Sequence, residues 1–197
     1  MNSWTRIAWG GLIVTAMTCC GTASAHTAAP APTMRHLTVT VYDYTGVDAK
    51  TLATAQDVAS EVYRRAGIEI EWADPDDDAD AGRFSVNVLS ADMVAPFSTS
   101  KDTVGFATPG SLEATAIFDR IRVIAHNRHL PCGVLLGYVI AHELGHLLLP
   151  AHSHSESGIM AAGLNVEQAA AKKLGFTSDQ AALMLERLTA SPVVSTH

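Results

Sequence analysis

Residues 134–149 read VLLGYVIAHELGHLLL, and this run limits the fold more than anything else in the chain. It is apolar on every side except at His142, Glu143 and His146. It contains no proline, and Pro150 follows directly. The run is longer than an ordinary strand and shorter than the ~20 apolar residues needed to cross a bilayer. An all-round apolar segment of this length is a buried helix, and the proline stops it. Positions i and i+4 share a helix face, so His142 and His146 point the same way. Glu143 lies roughly 100° further round. Burying three polar side chains without partners costs on the order of several kcal/mol. A helix carrying two histidines and a glutamate by chance leaves that cost unmet, whereas one metal ion offsets it. Two imidazoles one turn apart suit Zn2+ at about 2.0–2.1 Å. Glu143 then borders the open side of the ion, where a base must stand to take a proton from water. A catalytic zinc needs a third protein ligand and leaves the fourth position to water.

The rest of the chain supplies a sheet and a second long helix. HLTVTVYDY (36–44) alternates like a strand, with Leu37, Val39 and Val41 on one face. Leu52, Ala55, Ala59, Val62 and Ala66 recur at helical spacing, between a capping Asp48 and a terminating Gly67. IEIEW (68–72) and SVNVL (85–89) read as two more strands. Asp76, Asp78 and Asp80 alternate between them, but no glutamate closes a calcium loop, so a solvated acidic turn is expected. Residues 91–110 show no clear period and are expected to form a long loop at the rim of a functional cleft. A short strand near 116–119 is expected to lead into a helix. Thr177 and Gln180 form a capping box for a last helix. His36, His126 and His129 have no partner at metal spacing and are expected at the surface. Cys132 is expected in the core, and Tyr138 to pack there or to bond a metal ligand.

His142, Glu143 and His146, followed by His152 six residues later, resemble the metzincin pattern. Ser153 after that histidine and Met160 eight residues beyond it are similar to the matrixin-like branch, with SGIM matching its Met-turn. The resemblance implies a zincin-like α+β fold: a small twisted mixed sheet packed on two long helices, with a short C-terminal helical part. It also implies Zn2+ held by His142, His146 and His152, with Glu143 as general base and Met160 as the floor. The chain departs from the pattern in two places. Leu149 stands where a glycine is expected, which leaves His154 open as the alternative third ligand. No tyrosine follows Met160. A glutamate-ligated zincin would use Glu167, about two residues off its spacing. PCGV (131–134) is similar to the matrixin propeptide switch, but Cys132 opens the same helix that carries the histidines and cannot fold back to them.

The ends suggest export. Arg6, the apolar IAWGGLIVTAM and the small-residue ASA at 23–25 fit a signal peptide cleaved after Ala25. The expected organisation is a signal peptide at 1–25, a linker at 26–34, a catalytic domain at 35–190 and a flexible tail at 191–197. Lipidation at Cys19 or Cys20 lacks its usual flanking residues. A copper site at His26 has no other support. With 13 Lys and Arg against 20 Asp and Glu, the net charge is −7, which argues against nucleic acid and anionic membranes as partners. The expected protein is therefore a secreted or periplasmic, monomeric zinc metallopeptidase acting on peptide or protein substrates. The alternative is a non-catalytic secreted zinc-binding module for adhesion or inhibition.

Overall fold

A computed structural model describes residues 34–76, 83–97, 99–108, 110–151, 153–163 and 165–190. The expected leader, the expected tail and most of the acidic turn lie outside them.

Strand β1 (Arg35–Asp43) buries Leu37, Val39 and Val41 on one face, as its alternation predicts. Helix α1 (Ala49–Arg65) begins where Asp48 accepts a hydrogen bond from the Thr51 amide at 3.0 Å. It ends at Gly67, whose φ of +82° lets the chain reverse into β2 (Ile68–Ala73). Strand β3 (Phe84–Leu89) follows. The stretch expected to be a plain loop then folds into the short helix α2 (Ala91–Val94), a single 3-10 turn (Ala95–Phe97) and the strand β4 (Gly105–Ala107). Strand β5 spans Glu113–Ile117, a few residues before the segment expected at 116–119, and α3 (Phe118–Asn127) starts at once. The shift arises because Ala114, Thr115 and Ala116 carry almost no hydrophobic contrast for a period to show. Helix α4 (Cys132–Leu148), α5 (Val166–Ala170) and α6 (Ser178–Ala190) complete the fold.

The strands lie in the order β2-β1-β3-β5-β4, with all pairings parallel except β4 against β5. Parallel neighbours need crossovers, and the long α1 provides the first. Helices α1 and α4 pack closely because α4 offers glycines at the contact. A methyl group at Gly133 would fall 2.6 Å from the Thr51 carbonyl oxygen, and one at Gly137 would fall 2.6 Å from that of Ala55. Tyr63 donates to the Ala141 carbonyl across the same interface at 3.2 Å. The nearly all-apolar α4 is thereby buried along its whole length, except at Cys132 and the two histidines. Cys132 is a correction: it opens α4 half-buried rather than enclosed, and that burial still pushes its thiol up. Among the described residues no helix is long and apolar enough to cross a membrane.

His36 is exposed and pairs with Glu71 at 2.8 Å, and His126 and His129 are also exposed. Thr177 and Gln180 cap α6 reciprocally, at 3.0 and 3.3 Å.

Candidate metal centre

The last turns of α4 present His142 and His146 on one face. The helix then stops without a left-handed residue. Leu149 takes extended backbone at φ −98° and ψ 160° and sends its side chain into the core. Glycine is not needed at this turn, and Pro150 prevents the helix from continuing. The chain returns to bring His154 to the other two. His146 Nε2 lies 3.0 Å from His142 Nε2 and 3.1 Å from His154 Nε2. One ligand nitrogen from each of the three histidines falls within 4.8 Å of the others. Three nitrogens on a tetrahedral ion at about 2.05 Å stand about 3.3 Å apart, so this set needs little adjustment to accept one. His152, the expected third ligand, lies outside the described residues; the structure groups the alternative, His154, with His142 and His146. Glu167 is exposed on α5 and takes no part in the cluster.

His142 and His146 are compatible with holding a cation. His142 Nδ1 lies 2.7 Å from the Ile159 carbonyl oxygen. A carbonyl only accepts, so Nδ1 carries the proton and the Nε2 lone pair faces the cluster. Burial lowers the His142 pKa, partly opposed by that hydrogen bond. Burial, followed by the two neighbouring imidazoles, lowers His146 to about 4. Neutral imidazole is the form that ligates.

Ile159 belongs to a tight turn held by three contacts. The Ser155 amide donates to the Met160 carbonyl at 2.9 Å, and the Ile159 amide to Gly175 at 2.9 Å. At Gly158, with φ +83°, a methyl group would meet the Gly175 carbonyl at 2.7 Å. The turn delivers Met160, fully buried, against Gly145 of the HELGH sequence. A methyl group at Gly145 would sit 2.7 Å from the Met160 sulfur. The methionine is therefore an apolar support for the helical turn between the two histidines.

Glu143 is only 6% exposed and lines the cavity beside the histidines. Burial pushes its carboxyl up to about 8. Its carboxyl rests against Gly105 of β4, where a methyl group would lie 2.8 Å from both Glu143 Oε1 and the Thr115 carbonyl oxygen. Val104 and Thr108 spend their backbone groups on β5, through bonds of 2.8 and 2.9 Å. By antiparallel alternation Phe106 does the same, while Gly105 and Ala107 direct theirs away from β5. The cavity measures about 1130 Å3 and is walled by Gly105 and Phe106, by Tyr138 and Val139 one turn before His142, and by Ala161 and Ala162 beyond Met160. Tyr138 is buried there and, among the described residues, makes no hydrogen bond to a histidine. The Gly105 contact and the Ile159 carbonyl had no local sequence signal, because each joins segments far apart in the chain.

The mixed sheet, the buried α4 and the histidine cluster define a zincin-like α+β fold with a candidate metal centre. Among solved structures it is similar to the archaemetzincin from Methanopyrus kandleri. The TM-score is 0.52 at 12% identity, over 78% of this chain and 96% of that one. No protein-family model matches the chain, and neither does the sequence of any curated protein.

Proposed function

We propose that this protein is an exported, monomeric zinc metallopeptidase of the metzincin kind, acting on peptide or protein substrates. The observation that carries the proposal is the convergence of three histidine Nε2 atoms beside a buried glutamate, at the end of one apolar helix. His142, His146 and His154 would hold Zn2+, with His152 retained as the alternative third ligand. When bound, the ion supplies Lewis acidity to the scissile carbonyl and to the attacking water. The residues of the chain do the rest. Glu143 takes the proton from the water and returns it to the leaving amine. Its burial raises its affinity for a proton, and a bound cation beside it would favour the carboxylate form that accepts one. The Ile159 carbonyl keeps His142 in the ligating tautomer. The outward backbone groups of Gly105 and Ala107 pair an extended peptide across the cleft. The leader at 1–25 sends the protein out of the cytoplasm.

The test is digestion of casein and a peptide library by wild type, by chelated protein and by Glu143→Gln. Cleavage should fall about 10²–10⁴-fold in Glu143→Gln, while its zinc content stays at wild-type level. Full zinc loading with no cleavage of any peptide by wild type would instead favour a binding module for adhesion or inhibition.

A further inference from the structure

We propose that Gln180 is a positioning residue for the metal centre, acting through Ser155 on the segment that carries His154. The inference rests on the reading of His154 as a ligand.

Gln180 is buried, and its side chain serves two structures at once. Its Oε1 accepts from the Thr177 amide at 3.0 Å, which completes the cap of α6. That duty needs only an oxygen, and glutamate performs it equally well in capping boxes. The amide nitrogen has a separate task. Nε2 donates to Ser155 Oγ at 3.2 Å. Ser155 directly follows His154 and is the hub of the turn below the site. Its hydroxyl donates to the Ser157 carbonyl at 2.8 Å, and its backbone amide donates to the Met160 carbonyl at 2.9 Å. It also bridges Ala161. The same turn carries Ile159, whose carbonyl orients His142. One side-chain amide on α6 therefore ties down the neighbour of one histidine and the loop that orients another. His154 itself is exposed, and Ser153 and Ser155 on either side of it are half-buried. Partners that orient metal ligands are worth about 10–100-fold in affinity.

The experiment measures Zn2+ affinity by competition with a chromophoric chelator, together with melting of the metal-free protein. The proteins are wild type, His154→Ala, Ser155→Ala, Ser155→Thr and Gln180→Glu. Ser155→Ala should bind about tenfold more weakly, and Ser155→Thr, which keeps the hydroxyl, should match wild type. Gln180→Glu keeps the cap oxygen, so the metal-free protein should still melt cooperatively, at a temperature lowered by the buried charge. Its affinity should still fall several-fold, because Ser155 must release Ser157 to donate to the new carboxylate. If Ser155→Ala and Gln180→Glu bind as wild type while His154→Ala has lost the ion, the inference fails and the ligand assignment survives. If His154→Ala binds as wild type, the assignment falls and the inference falls with it. A Gln180→Glu protein that loses melting temperature but not affinity would reduce Gln180 to a helix cap.

Discussion

Glu143 and His146 lie one turn apart, and burial drives their titrations in opposite directions. Glu143 is raised from 4.5 to about 8, so the folded metal-free protein holds its proton more tightly than the unfolded chain does. That contribution to stability is complete below pH 4.5 and is lost as pH climbs through 8. His146 is lowered from 6.5 to about 4, so its contribution grows between those values and is flat above 6.5. His142, also lowered, behaves alike. Of these three groups only Glu143 still changes between pH 6.5 and 8. Metal-free protein should lose about 2 kcal/mol across that window, and Glu143→Gln should abolish the loss. Urea unfolding in chelator at both pH values checks this, and an equal slope in the two proteins would refute it. At this scale the spacing of His142, Glu143 and His146 was enough to read the helix face. Which later histidine joins the cluster could not be read from sequence, because it turns on the backbone of Leu149. A leucine there argued against the glycine-dependent turn, but the chain leaves the helix extended, a conformation open to any residue.

The elements that were legible are those whose hydrophobic period is long or strongly contrasted: α4, α1, β1 and the capped α6. Strand β4 was not legible. It is three residues long, it includes a glycine, and it is fixed by pairing with β5 and by contact with Glu143 rather than by its own pattern. Yet it is the element the proposed reaction uses to receive substrate, and its alternation makes a sharp prediction. The Ala107 amide points away from β5, so Ala107→Pro removes an outward donor and leaves the ladder intact. A proline at Phe106 would break the ladder instead. One hydrogen bond is worth about 0.5–1.5 kcal/mol. Ala107→Pro should therefore lower kcat/KM by about 2- to 10-fold, with zinc content and melting temperature kept. Phe106→Pro should lose stability. Peptidase assays alongside melting curves separate the two, and an Ala107→Pro enzyme with unchanged kcat/KM would exclude β4 as the substrate strand.

Over the whole molecule, the question is whether the ion holds the fold or only the site. Small zinc modules that lack a core unfold without metal. Here the buried cluster runs from β1 and β3 through α1 to α4, and on to Met160, Leu174 and Met184, independently of the histidines' fourth partner. Metal removal should therefore leave the sheet and helices standing and withdraw only the binding free energy. A ligand at about 100 times its Kd adds about 2.7 kcal/mol. In a domain of this size that corresponds to about 5–10 °C of melting temperature. The drop should scale with the logarithm of added Zn2+ and should vanish in His142→Ala, which cannot close the cluster. Far-ultraviolet circular dichroism at 25 °C should not change when the chelator is added. Complete unfolding on chelation would mean that this buried core is insufficient by itself. An unmoved melting temperature in zinc-loaded protein would mean that the three histidines hold no ion that matters to the folded state.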